Sequence, residues 1–151
     1  MNIAVYLKKG FTLTEVLIVL AITTILVSMA VSSFSTVGGS EALDTTIIST
    51  MSVLSEARSM AVSSKDASNY GVRIFNDRLV SFKNNYGNSN REFTVSNLVT
   101  IGTSTGIGED IIFNNVSGST SASGTIIVSV LSDLSKNAVI RVYPTGVIEK
   151  N

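Results

Sequence analysis

The chain has 151 residues, room for one domain and a separate terminal segment, with eleven basic and eleven acidic side chains and a net charge of zero. That balance, with charged residues at only 15 % of the chain, does not favour a nucleic-acid partner, which needs a clustered basic surface. There is no cysteine and no histidine, so disulfide frameworks, thiolate or imidazole metal sites and histidine-dependent triads are all excluded.

In chain order, the first informative stretch is Gly10-Phe11-Thr12-Leu13-Thr14-Glu15, with Lys8 and Lys9 before it and Val16-Leu17-Ile18-Val19-Leu20-Ala21-Ile22 after it. Residues 11–31 are mostly apolar, interrupted by Thr12, Thr14, Thr23, Thr24, Ser28 and a single acid, Glu15. As a helix this segment reaches roughly 30 Å, enough to cross the hydrocarbon core of a bilayer. The lysines place its N-terminal end in the cytoplasm and the rest of the chain outside the cytoplasmic membrane. An ionised carboxylate entering hydrocarbon is costly without a partner, so Glu15 requires an explanation.

Two ordinary explanations are open. A secretory signal peptide would use Ser28-Met29-Ala30 as a small-x-small cleavage site, although its apolar region would begin with an acid and run beyond the usual length. A plain single-span anchor would leave Glu15 at the interface, where the helix dipole favours a carboxylate by up to about 1 kcal/mol.

Lys9-Gly10-Phe11-Thr12-Leu13-x-Glu15 resembles the class III signal of type IV pilins and type II secretion pseudopilins. The resemblance implies that a prepilin peptidase cuts between Gly10 and Phe11, and that Phe11 becomes the N-methylated first residue. It also implies that Glu15 pairs with the terminal amine of a neighbouring subunit when the apolar helices bundle into a filament. Positions four apart share a helix face, so Glu15 pairing only with its own N-terminus is the competing arrangement. A desolvated charge pair of this kind sets register as much as stability.

Beyond residue 31 the pattern stays helical. Leu43, Ile47, Met51, Leu54, Arg58 and Ala61 form one stripe of an amphipathic helix that ends in the Ser63-Ser64-Lys65-Asp66 cluster. Gly38-Gly39 interrupts it at roughly 1 kcal/mol per glycine, which makes this pair the candidate hinge. Many pilins carry a proline where this chain has Ser32, so a proline-centred melted segment is not carried over.

From Tyr70 onward short strands are predicted at 70–75, 79–83, 92–95, 98–101, 110–113, 124–130, 138–143 and 147–149. Asn76-Asp77-Arg78 reads as a hairpin turn, Pro144-Thr145-Gly146 as a turn before the last strand, and 102–108 and 117–123 as loops. The fold class expected is α+β: a long N-terminal helix, membrane-spanning in its first half, packed on an antiparallel β-sheet head. The expected divisions are a leader at 1–10, a transmembrane and filament-core helix at 11–31, its amphipathic half at 32–65 and the head at 66–151.

Within the family, the second half is most similar to the H-type (GspH/FimT-like) minor pseudopilin branch. The resemblance lies in Glu56-Ala57-Arg58-x-x-Ala61, Tyr70-Gly71-Val72, Gly124-Thr125-Ile126-Ile127-Val128 and Gly146-Val147-Ile148, taken in order. The lack of cysteine removes the C-terminal disulfide loop common in major type IV pilins, leaving a major pilin as the alternative within the class.

The head presents no catalytic set. Asp77 falls in a turn, Glu109-Asp110 read as solvated loop acids, Asp133 stands alone, and calcium would need several converging oxygens. The spacing Gly102-x-x-x-Gly106-x-Gly108 lacks the Lys and Ser/Thr of a phosphate loop. Arg58 is expected to pair with Glu56 or an acid of the sheet. The expectation is therefore a non-enzymatic minor subunit without cofactor or metal, inserted in the inner membrane with its head periplasmic or extracellular. Its partners would be the prepilin peptidase, other pilin or pseudopilin subunits and the inner-membrane assembly platform, in a secretion pseudopilus or a type IV pilus-like filament. A secreted or membrane-anchored binding module with a conventional signal is the reading from a different class.

Overall fold

The structure, a computed structural model, describes residues 10–87, 91–104 and 109–151, with side-chain surroundings given for all of these except 31–37. The chain divides into two compact units, Met1–Thr36 and Val37–Asn151, and helix α1 (Leu13–Val62) contributes residues to both.

In the second unit α1 packs against eight strands: β1 (Tyr70–Ile74), β2 (Arg78–Lys83), β3 (Arg91–Thr94), β4 (Val99–Thr103), β5 (Asp110–Phe113), β6 (Gly124–Val130), β7 (Asp133–Val142) and β8 (Ile148–Lys150). They form two antiparallel four-stranded sheets, ordered β3-β2-β1-β5 and β4-β6-β7-β8. The expected α+β arrangement of a long helix on antiparallel strands is what the chain adopts. Its division into two sheets was not anticipated.

One apolar core joins the helix to both sheets. Ile47, Val53, Leu54, Ala57 and Ala61 of α1 meet Val72, Leu79, Ile111 and Phe113 of the first sheet and Ile101, Ile126, Val128, Ile140 and Val142 of the second. The buried helix face is broader than the predicted stripe. Ile47, Leu54 and Ala61 are buried as expected, but Leu43, Met51 and Arg58 are only partly so, and Thr46 and Thr50 are buried in their place. A threonine hydroxyl can enter a core when it is satisfied within its own helix, and Thr50 Oγ1 donates to the Thr46 carbonyl at 2.8 Å.

The helix stops at the predicted serine cluster. Ser64 takes a left-handed conformation (φ 54°), its N–H closes on the Ala61 carbonyl at 3.0 Å, and its hydroxyl donates to Asn115 Oδ1 at 2.8 Å. A short turn (Lys65–Ala67) leads into β1. Strands β5 and β6 begin and end where predicted, and β7 starts five residues earlier, at 133 instead of 138, because the β6–β7 hairpin continues beyond a bulge at Ser129/Val130.

The β7–β8 connection is a Tyr143-Pro144-Thr145-Gly146 turn. The Gly146 N–H reaches the Tyr143 carbonyl at 2.8 Å, and the Tyr143 N–H reaches the Val147 carbonyl at 2.9 Å. Proline supplies the fixed φ of the second position, and Gly146 (φ 77°) supplies the left-handed residue that lets the strands twist correctly. The Thr120 N–H donates to the Pro144 carbonyl at 2.9 Å, which pins the turn to the loop after β5.

Candidate functional site

The N-terminal signal can be followed atom by atom from Gly10. Phe11 is 84 % exposed and extends ahead of the helix. Thr12 is the helix N-cap: its Oγ1 accepts from the Glu15 N–H at 3.2 Å, and its carbonyl accepts from the N–H groups of Glu15 and Val16 at 3.1 and 3.2 Å. Thr12-x-x-Glu15 is thus the threonine-to-glutamate spacing of a capping box, a signal legible in the sequence and missed there. That spacing offers the Glu15 side chain a local role as an alternative to pairing with an amine. Phe11, Glu15, Val16, Val19 and Leu20 line one shallow exposed groove, so Phe11 and the acid share a face.

Behind the cap, Leu13–Ala30 is long and apolar enough to cross a membrane, with Glu15 as its one ionisable residue. At 1.5 Å per residue these 18 residues span about 27 Å. All of them are exposed in the isolated chain, an apolar surface that demands lipid or neighbouring helices. The interruptions are internally satisfied, as lipid requires. Thr23 Oγ1 donates to the Val19 carbonyl at 2.9 Å, Thr24 Oγ1 to Ala21 at 2.8 Å and Ser28 Oγ to Ile25 at 2.8 Å. Lys8 and Lys9 lie outside the described residues.

Gly38 and Gly39, the candidate hinge, are helical. Gly39 is also buried: a Cβ there would lie 2.9 Å from Val130 Cγ1, so its lack of a side chain admits the second sheet close to the helix. A packing reason for one glycine therefore stands beside the hinge reading.

Several head residues differ from their expected surroundings. Arg58 does not pair with Glu56; residues two apart point to different sides of a helix. Arg58 Nη2 instead donates to the Thr145 carbonyl at 3.4 Å, while Glu56 pairs with Arg91 at 3.1 Å. Asp110 is not a solvated loop acid. It opens β5 opposite Arg73 and takes a bidentate pair of bonds from Nε and Nη2, both 2.6 Å. The same guanidinium lies 3.9 Å over the Tyr86 ring, and Tyr86 packs edge-on to Phe82. These contacts form a small second core on the outer face of the first sheet, over buried Val80 and Phe82. Asp133 turns back on Ser135, whose hydroxyl, helped by its N–H, lowers its pKa. Among the described residues no group of three or more acids converges as a metal site would require. Gly106 and Gly108 of the glycine-rich loop lie outside the described residues.

Asp66 shows how the turn after α1 is held. Lys83 Nζ donates to it at 2.9 Å, and this bond, helped by Tyr70 and Lys65, holds the carboxyl below its ordinary 3.8. The same bond raises Lys83 above 10.5. A lowered acid stabilises the fold above its unfolded pKa, and the benefit is lost as pH falls through the folded value. On the alkaline side, the benefit is lost only as pH rises through the folded value of Lys83. Lys83→Met should therefore lower the urea midpoint at neutral pH, and the two midpoints should converge well below pH 3.8.

The prokaryotic N-terminal methylation motif matches residues 7–31. The fold is similar to the type IV minor pilin FimU of Pseudomonas aeruginosa in two crystal forms. One matches with a TM-score of 0.53 at 16 % identity over 76 % of this chain and 90 % of that one. The other matches with a TM-score of 0.54 at 15 % identity over 76 % and 86 %. No curated protein matches the chain. The chain thus joins the N-terminal methylation motif to a fold similar to that of a type IV minor pilin.

Proposed function

We propose that the chain is a minor pilin or pseudopilin, cut after Gly10 by a prepilin peptidase, N-methylated on Phe11 and built into a filament from the inner membrane. The observation that carries this reading is the placement of Gly10-Phe11 directly before a capped, membrane-length helix, within the matched methylation motif. The exposure of both Gly10 and Phe11 suits a peptidase substrate. The helix beyond it suits a filament core, because its apolar surface is unpaid until neighbours or lipid cover it. Glu15 would then set register by pairing with the Phe11 amine of the adjacent subunit, and Gly38-Gly39 would give the helix its bending point. Residues 1–10 serve as leader, 11–31 as span, 32–65 as the helix half that carries the head, and 66–151 as the head's strands.

The H-type motif order supports a minor subunit of a type II secretion pseudopilus, and the likeness to a type IV minor pilin supports a related pilus. Deleting either machine's assembly platform in the native cell distinguishes them by which loss strands the subunit in the membrane. The deciding measurement for processing is the mass of the mature N-terminus. Methylated Phe11 is expected. A chain beginning at Val31 points to a conventional signal peptide, and one beginning at Met1 to an unprocessed anchor; either would overturn the reading.

A further inference from the structure

Three leucines are exposed at one end of the head: Leu98, Leu131 and Leu134, at 45, 56 and 64 %. Leu98 lies in the β3–β4 connection, Leu131 in the β6–β7 loop and Leu134 at the start of β7; the two loops are joined by the Leu131 N–H donating to the Leu98 carbonyl at 2.9 Å. Both loops flank the first turn of α1 that belongs to the head. A Cβ on Gly38 would lie 3.8 Å from Leu98 Cδ1, and one on Gly39 would lie 2.9 Å from Val130 Cγ1, the residue before Leu131.

The apolar run closes at Ala30, eight residues before Gly38. Eight residues rise about 12 Å as helix and reach no more than about 28 Å fully extended. However the chain crosses that interval, a head anchored through residues 11–31 keeps these loops within reach of the membrane surface. Apolar side chains held there find cover by entering the headgroup and acyl boundary.

We propose that Leu98, Leu131 and Leu134 form a foot by which the head rests on the membrane, their side chains inserted shallowly into the lipid surface. The proposal depends on residues 11–31 being a membrane segment. The charges near the foot argue for apolar insertion over electrostatic adhesion. Asp133 and Lys136 at the hairpin tip cancel, Asp44 lies 3.9 Å from Lys150 Nζ, and Glu41 on the adjoining turn of α1 leaves a negative charge that anionic lipid would repel. The contact therefore forms on neutral lipid and is insensitive to salt.

The absence of native cysteine makes the test direct. Single cysteines at Leu131→Cys, Leu134→Cys, Leu20→Cys in the span and Val116→Cys carry an environment-sensitive fluorophore on the full chain in phosphatidylcholine vesicles. Val116, 67 % exposed and bonded through its N–H to the Ala61 carbonyl, reports the end of the head where α1 finishes. The expected result is several-fold stronger quenching by brominated lipid at Leu131 and Leu134 than at Val116, unchanged by high salt, with Leu20 quenched most. A quenched Leu20 with tip labels as wet as Val116 overturns the foot and leaves the span standing. An unquenched Leu20 overturns both. Shielding of the tip that develops only when companion subunits are added shows that protein covers the leucines, and also overturns the foot.

Discussion

Replacing Gly146 by alanine should destabilise the head by about 3 kcal/mol, the sum of a left-handed conformation that costs a side chain about 1–2 kcal/mol and an overpacking cost of similar size. The residue has φ 77°, and a Cβ built on it would run into the Gly118 carbonyl and lie 2.9 Å from Arg58 Nε. Neither neighbour can yield easily. Gly118 is itself left-handed (φ 63°) and lies against Val62 and Arg58, while Arg58 holds the Thr145 carbonyl of the same turn. The turn is thus clamped between the end of α1, the loop after β5 and the β7–β8 hairpin. For a head of this size the loss lowers the thermal midpoint by roughly 10 °C. Gly102→Ala is the control: nothing lies within 4 Å of its Cβ, and its midpoint should stay close to that of the unaltered chain. Equal melting of the two variants, followed by circular dichroism in detergent, would show that the clamp has more slack than its geometry allows.

The same turn shows how far sequence reasoning reaches. Pro144-Thr145-Gly146 is readable as a turn because proline fixes one dihedral and glycine permits another, both local properties. That Gly118 and Arg58 converge on it is not readable, since they are 28 and 88 residues away from Gly146 in the chain. Strands β5 and β6 were placed to the residue because β-branched runs are bounded by turn formers at both ends. Their membership of different sheets depends on pairings such as β1 with β5 and β4 with β6, which no local pattern encodes. Asp110 falls in the predicted strand 110–113 yet reads as solvated for the same reason: only the pairing of β1 with β5 brings Arg73 opposite it. Thr46 and Thr50 were left off the helix stripe because hydropathy alone ignores a hydroxyl that bonds back to its own helix. At the N-terminus the motif and the Thr12 cap are both local patterns, so both are legible in the sequence.

Glu15→Ala should leave cleavage after Gly10 and methylation of Phe11 intact while stopping incorporation into filaments. The two roles open to Glu15 differ in size. As the last residue of the Thr12-x-x-Glu15 cap it is worth at most about 1 kcal/mol to its own helix. As the partner of a neighbour's terminal amine among packed apolar helices, its removal leaves a buried charge uncompensated. That costs about 3–5 kcal/mol, on the order of a hundredfold or more in incorporation. Glu15→Gln separates them, because glutamine serves in a capping box but carries no charge. If the charge pair governs assembly, Gln and Ala fail alike, and Thr12→Ala, which removes the bond to the Glu15 N–H at 3.2 Å, assembles nearly as well as the unaltered chain. If the cap governs, Gln restores assembly and Thr12→Ala loses it. Recovery of each variant in sheared filaments against the membrane fraction, with the mature N-terminal mass measured in both, decides between the two. The charge-pair outcome is expected, because lipid already enforces helicity along the span by leaving its backbone groups no other partner. A single cap then has little left to stabilise, whereas an unpaired amine in an apolar bundle has no substitute for Glu15.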